Sequence, residues 1–148
     1  MKSVTLILVM VLLFTASFIF ADDVKKAISE KEFLEVFTGT WVNKDHGGYF
    51  EPQKVVYLSE KKWEEYSFLN DDQAEHYGPY TIEEMWMDSN GDIWFKVRLE
   101  CVAHKGLLLT LGKISNSGKA LDKVWQTNRF PTEISPIEGT QTTFYRQE

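Results

Sequence analysis

The sequence predicts an all-β domain: an eight-stranded antiparallel up-and-down barrel with a short N-terminal helix. From residue 41 onward, apolar residues recur with a period of two, as they do in half-buried strands. Turn-forming residues separate these stretches at short, regular intervals, and no helical pattern lies between them. Eight such strands can close into a barrel whose interior is filled by side chains or holds one small ligand. A two-sheet sandwich is the alternative.

The first 21 residues predict a secretory signal peptide. Lys2 precedes a long apolar stretch, and the small residue Ala21 stands before Asp22, which is typical of a cleaved leader. The barrel domain is then residues 22–148. Because the length of the apolar stretch is at the lower limit for crossing a bilayer, an uncleaved N-terminal membrane anchor is the alternative. After cleavage we expect no membrane span and an exported protein, either periplasmic or secreted.

The composition argues against a nucleic-acid partner and against a disulfide within the chain. The 148 residues carry a net charge of −6, and cleavage would remove Lys2 but no acidic residue. An acidic domain repels phosphate backbones, so we expect no nucleic-acid partner. Cys101 is the single cysteine. An intramolecular disulfide is therefore impossible, and the core alone must stabilise the domain.

Residues 22–37 follow a helical pattern. Ser29 and Glu32 match a capping box, in which each side chain accepts a hydrogen bond from the other residue's backbone. Phe33, Leu34 and Phe37 then fall on one face. We expect a short helix packed over one end of the domain. A mobile lid over a pocket is the alternative.

Eight strands are expected after this helix. The first opens at Gly39-Thr40-Trp41, and Asn90-Gly91 predicts a type I′ hairpin turn with positive φ angles. The strand at residues 93–101 alternates most clearly, with one apolar face and one wet face, which is typical of antiparallel sheets. The remaining strands are predicted at residues 54–59, 62–68, 80–87, 107–114, 120–126 and 140–146.

The opening motif and the strand pattern together resemble the lipocalin and calycin barrels. Gly39 and Trp41 match the glycine-x-tryptophan motif of that superfamily. The resemblance implies that an arginine or lysine of the last strand packs over the tryptophan, and Arg146 occupies the matching place. Such a contact is worth roughly 0.5–2 kcal/mol. In this superfamily the motif and the arginine are structural, and they identify no ligand.

Residues 113–119 and 144–147 are also similar to small exported bacterial lipocalin-like proteins of unassigned function. The chain nevertheless departs from typical lipocalins. It is shorter, it has no helix after the last strand, and it cannot form their usual disulfide. Two interiors are therefore expected equally: a compact barrel with a small or filled interior, or a barrel with a large ligand cavity.

No pattern typical of catalysis or metal binding is present. His46, His76 and His104 fall in predicted loops, without the spacing of metal ligands. Residues 88–92 resemble the start of a calcium loop, but the last ligand position holds Leu99 instead of glutamate. No Gly-x-Ser-x-Gly elbow supports a nucleophilic serine. We therefore expect no enzyme, no metal site and no cofactor.

Strand alternation defines a candidate interior. The alternation of residues 93–101 predicts a buried, inert thiol at Cys101, and Leu111 is expected to face inward as well. Adjacent carboxylates, such as Glu64-Glu65 and Glu83-Glu84, should point to opposite faces of their strands. Three tyrosines are expected to supply hydroxyls at the rim. The candidate ligand-binding residues are Tyr57, Tyr66, Tyr80, Phe95, Val97, Leu99, Leu109 and Phe144.

Two functions fit this pattern. The first is an exported lipocalin-like protein that binds a small apolar or amphipathic ligand non-covalently, since ligand pockets are lined in this way. The second is a secreted or envelope protein-interaction or inhibitor-like module with a filled barrel. That module would act through outer aromatic residues such as Trp86 and Trp94. The sequence does not identify a protein partner.

Overall fold

The computed structural model describes residues 24–44 and 52–148. The predicted signal peptide and His46 lie outside the described residues. Within them, the elements in chain order are β1 (Lys26–Ala27), α1 (Glu30–Phe37), β2 (Gly39–Val42), β3 (Pro52–Tyr57), β4 (Lys62–Ser67), β5 (His76–Met87), β6 (Ile93–Cys101), β7 (Gly106–Ile114), β8 (Ala120–Gln126) and β9 (Thr140–Arg146).

Strands β2 to β9 form a closed antiparallel barrel. Each strand pairs with the next in the chain, and β9 returns to pair with β2, where Trp41 lies opposite Arg146. The first part of β5 pairs with β4 and the rest with β6, so one long strand serves both neighbours. The two-residue β1 adds to β5 at Trp86 and Met87. The predicted eight-stranded barrel is confirmed, and the sandwich is not formed.

The chain enters the barrel through α1. The predicted capping box is present: the Glu32 N–H donates to Ser29 Oγ at 3.2 Å, and the Ser29 N–H donates to the Glu32 carboxylate at 2.8 Å. Phe33 and Phe37 are fully buried, whereas Leu34 is only partly buried. The helix packs through these two rings over one end of the barrel, called the helix end below. Among the described residues, no helix is both long and apolar enough to span a membrane.

Trp41 and Arg146 join this helix to the closing strands. The Trp41 indole is fully buried and donates from Nε1 to the Phe37 carbonyl oxygen at 3.0 Å. The Arg146 guanidinium lies over the indole, 4.3 Å from the ring centroid. It also donates to the carbonyl oxygens of Val36, Thr38 and Gly118. The predicted contact of Arg146 with Trp41 is thus confirmed, and the guanidinium additionally satisfies carbonyls at the end of α1.

The hairpin between β5 and β6 differs from the predicted type I′ turn. Gly91 has a φ of 81°, but Asn90 does not adopt a positive φ. Instead, Asp88 Oδ1 accepts the N–H groups of Asn90 and Asp92 at 2.9 and 3.0 Å. The aspartate side chain stabilises a wider loop, which requires left-handed backbone only at the glycine.

The two ends of the barrel differ in composition. Ring contacts fill the helix end: Phe37 stacks on Tyr57 with centroids 4.0 Å apart, and Phe95 lies 4.9 Å from Phe37. The connections β4–β5, β6–β7 and β8–β9 meet at the opposite end, called the far end below. The residues that close the helix end are called the aromatic plug: Phe33, Phe37, Trp41, Tyr57, Tyr80 and Phe95.

Candidate functional site

Six of the eight predicted interior residues face inward. Phe95, Val97, Leu99 and Phe144 are all buried in the core cluster. Tyr57 and Tyr80 belong to the aromatic plug instead of the rim, because their rings pack against Phe37. The Tyr80 hydroxyl donates to the Leu58 carbonyl oxygen at 2.9 Å. Tyr80 is therefore a structural residue with no hydrogen to offer a ligand.

The placement predicted for Tyr66 is wrong. Its side chain lies on the outer face of β4, opposite Lys54 in the register. The Lys54 ammonium lies 4.1 Å from the ring centroid of Tyr66, and the Tyr66 hydroxyl donates to the Glu64 carboxylate at 2.6 Å. This hydrogen bond is the main cause that raises the pKa of Tyr66 to about 12.

The placements predicted for Leu109 and Leu111 are also wrong, because β7 has the opposite phase. Leu109 pairs with Arg98 and Leu111 with Lys96, so both leucines face outward. They are nevertheless 8% and 2% exposed, and the outward Val124 beside them is fully buried. Strand β7 is thus apolar on both faces, and alternation alone could not set its phase.

One glycine shows which face of β7 is inside. Gly112 pairs with Phe95, and a Cβ on this glycine would lie 2.1 Å from the Phe95 ring. Only a residue without a side chain leaves room for that ring. Leu108, Thr110 and Gly112 therefore face inward.

The adjacent glutamates behave differently in β4 and β5. Glu65 faces inward opposite the buried Val55, while Glu64 faces outward, as predicted. In β5 a register shift between Ile82 and Glu84 places both Glu83 and Glu84 outside. There they form ion pairs with Arg98 and Lys96 at 2.9 and 3.0 Å. The prediction for Glu83-Glu84 is wrong because a bulge interrupts the alternation.

Four polar groups that face the barrel interior are called the polar cluster below: Tyr57 Oη, Glu65, Thr110 Oγ1 and Lys123. The Glu65 charge acts on both Tyr57 and Lys123, and Thr110 lies two residues from Gly112, the strand partner of Lys123. Lys123 is the least expected member, because its side chain is 1% exposed and faces Gly112 and Thr142 on the two neighbouring strands. Its ammonium also lies 4.9 Å from the ring centroid of Phe144. Buried lysines are rare unless they have a partner.

Glu65 is the charged partner of Lys123 across the barrel. Its carboxylate lies 3.9 Å from the ammonium, which is an ion pair but longer than a hydrogen bond. Burial lowers the pKa of Lys123, and the Glu65 charge opposes that shift. Glu65 and Lys123 therefore form an ion pair inside the barrel without a direct hydrogen bond between them.

Two hydroxyls in this cluster have no partner among the described residues. Tyr57 Oη and Thr110 Oγ1 are both buried and make no hydrogen bond. Burial, and secondarily the Glu65 charge, raise the pKa of Tyr57, so its hydroxyl stays protonated and able to donate. An unpaired buried hydroxyl costs about 1–3 kcal/mol. Such groups call for an explanation beyond packing.

The polar cluster can be reached from outside. Although Glu65 faces the interior, its side chain remains 15% exposed. Trp125 also faces inward, opposite Thr110, and is only half-buried. Thr140, at the far-end start of β9, is exposed. Solvent therefore reaches the Glu65 carboxylate from the far end, while the aromatic plug closes the helix end.

The described histidines lie at the far end but form no metal site. His76 begins β5, contrary to the prediction that it lies in a loop, and its ring centroid is 4.6 Å from that of His104. Its Nδ1 lies 3.5 Å from the buried thiol of Cys101. No group of three or more potential metal ligands occurs within residues 24–44 and 52–148.

The surface offers two weaker candidates. A groove of about 820 Å³ runs along Val36, Lys119 and Arg146 at the helix end, but Arg146 already donates to three carbonyls. On the outer face, Trp86 and Trp94 stack with centroids 6.1 Å apart, and Trp94 donates to Asp88. Arg146 and Trp94 already have hydrogen-bond partners within the protein, whereas two hydroxyls of the polar cluster have none among the described residues.

Sequence reasoning missed Thr110 and Lys123. The signal for Lys123 is its position between Leu121 and Trp125 at two-residue spacing, which places all three on one face. No known protein family, curated protein or solved structure matches this chain.

Proposed function

We propose that this protein is an exported, lipocalin-like binding protein, not an enzyme. It holds a small amphipathic molecule non-covalently in the far half of the barrel. The observation that carries this proposal is the pair of unpartnered buried hydroxyls, Tyr57 Oη and Thr110 Oγ1. A ligand that accepts their hydrogen bonds would remove the cost of burying them.

The apolar part of the ligand would lie among the inward apolar side chains of the barrel, and this proposed ligand space is called the chamber below. Val97 and Leu99 face the interior from β6, and Phe144 faces it from β9. Apolar walls with a few convergent polar groups are the usual composition of small-molecule sites. Export rests on the predicted signal peptide, and the lipocalin-like assignment rests on Gly39, Trp41 and Arg146.

Filling the chamber should abolish binding. Thr142 faces inward opposite Lys123 and is 8% exposed, so Thr142→Phe places a ring beside the polar cluster. Titration with prodan, an uncharged naphthalene dye whose ketone accepts hydrogen bonds and whose fluorescence reports apolar surroundings, should show saturable binding to the wild-type protein. The affinity of Thr142→Phe should be at least about tenfold lower, a loss of roughly 1.4 kcal/mol or more.

Gln141→Phe is the matched control, because Gln141 is the exposed neighbour on the outer face of the same strand. It should bind the dye like the wild type. Equal affinity in all three proteins, or no saturable binding by the wild type, would contradict the proposal.

A further inference from the structure

The polar cluster also indicates which head group the chamber accepts. It contains several donors and one strong acceptor: the Lys123 ammonium, the two hydroxyls that have no partner among the described residues, and the Glu65 carboxylate. A carbonyl oxygen on the ligand would accept hydrogen bonds from these surplus donors, and the Glu65 carboxylate can accept from any N–H that the head group carries.

The charges of Lys123 and Glu65 narrow the class of ligand head group further. Lys123 and Glu65 balance each other within the barrel, at 3.9 Å. An ionised ligand carboxylate beside Lys123 would bring a second negative charge close to Glu65. Two carboxylates that share one site disfavour the charged forms of both. An uncharged carbonyl adds acceptors and leaves the charge balanced.

We propose that the chamber selects ligands with an uncharged, hydrogen-bond-accepting carbonyl head group, and that Glu65 rejects the corresponding carboxylates. Glu65 is thus a specificity-determining residue that acts by repulsion, while Lys123, Tyr57 and Thr110 supply the attraction. This inference rests on the proposed function, since it assigns a ligand class to the same chamber.

Octanamide and octanoate test this selection, because they share one hydrocarbon chain and differ only in the head group. Isothermal titration calorimetry at pH 7 should give the wild-type protein at least about a tenfold preference for octanamide, since like charges brought together cost several kcal/mol. Glu65→Gln removes the repelling charge and keeps the shape. It should bring the two affinities together or reverse their order.

Glu64→Gln is the matched control. It removes the same net charge from the same strand, but Glu64 faces outward and accepts from Tyr66. This variant should keep the wild-type preference for the amide. A loss of preference in both variants would indicate a general charge effect and overturn the role of Glu65.

The outcomes separate the inference from the proposed function. If the wild type binds both probes equally, or Glu65→Gln keeps the amide preference, the head-group inference is overturned. The proposed function stands in that case when Thr142→Phe abolishes binding of the probes. If neither probe binds the wild type saturably, both proposals fail. Circular dichroism of each variant must match the wild type for these comparisons.

Discussion

Trp41→Ala is expected to lower the free energy of unfolding by about 3–5 kcal/mol, the range for large aromatic truncations in cores. Trp41 is fully buried, donates to the Phe37 carbonyl oxygen and carries the Arg146 guanidinium on its face. The substitution opens a cavity and uncovers a cation whose pKa is already lowered by burial. It also removes a bond that joins α1 to the barrel. Chemical denaturation followed by circular dichroism measures the loss.

Trp94→Ala provides the comparison for this prediction. Trp94 is half-buried on the outer face, where it stacks on Trp86. Its truncation should cost only roughly 1–2 kcal/mol, since an aromatic pair contributes about 0.5–1.5 kcal/mol beyond its area. A loss below about 1 kcal/mol for Trp41→Ala, or equal losses at the two positions, would mean that Trp41 does not anchor the barrel.

Glu65→Leu is expected to destabilise the fold by up to about 3–5 kcal/mol, because it leaves the buried Lys123 without its counter-charge. Adding Lys123→Met removes that charge and substitutes an unbranched apolar chain. The double variant should therefore recover wild-type stability or exceed it, since apolar replacement of buried ion pairs is often neutral or stabilising. Urea denaturation of the wild type, both single variants and the double variant gives the coupling energy.

The free energy of unfolding that Glu65→Leu loses should decrease with rising pH. Burial lowers the pKa of Lys123 in the folded state, so the unfolded state binds more protons between that lowered pKa and the ordinary lysine value. Stability rises with pH wherever the unfolded state holds more protons. Without the Glu65 charge, which opposes this shift, the folded-state pKa of Lys123 falls further. The loss caused by Glu65→Leu should thus shrink as the pH rises through the lowered pKa of the wild type, above which Lys123 is neutral in both folded proteins. A loss that is constant with pH, or a double variant as unstable as Glu65→Leu, would contradict the ion-pair account.

The sequence was sufficient for the fold because several local signals agree. The capping box of Ser29 and Glu32 marks the helix start, and the alternation of β6 sets one face unambiguously. Gly39, Trp41 and Arg146 then predict which strands close the barrel, and they are in contact in the structure. Such a fold can be predicted from its sequence because the secondary-structure propensity, the hydrophobic period and the turn residues all agree.

The interior could be predicted only in part. In β7, leucines stand in both phases, and the phase is set by the Phe95 ring against Gly112, a tertiary contact that no period reveals. In β5, a bulge moves Glu83 to the outer face. Lys123 lies between inward residues, but the apolar Val124 made the other phase equally plausible from the sequence. The members of the polar cluster come together only through strand register.

Binding of a small molecule by the polar cluster is tested most directly by two-dimensional NMR of the wild-type protein titrated with octanamide. We expect saturable shifts of the Thr110 and Lys123 backbone signals and of the Trp125 indole, with little change at outward residues such as Gln141 and Tyr66. Shifts confined to the outer face or to the groove beside Arg146, with Thr110 and Lys123 unchanged, would contradict it.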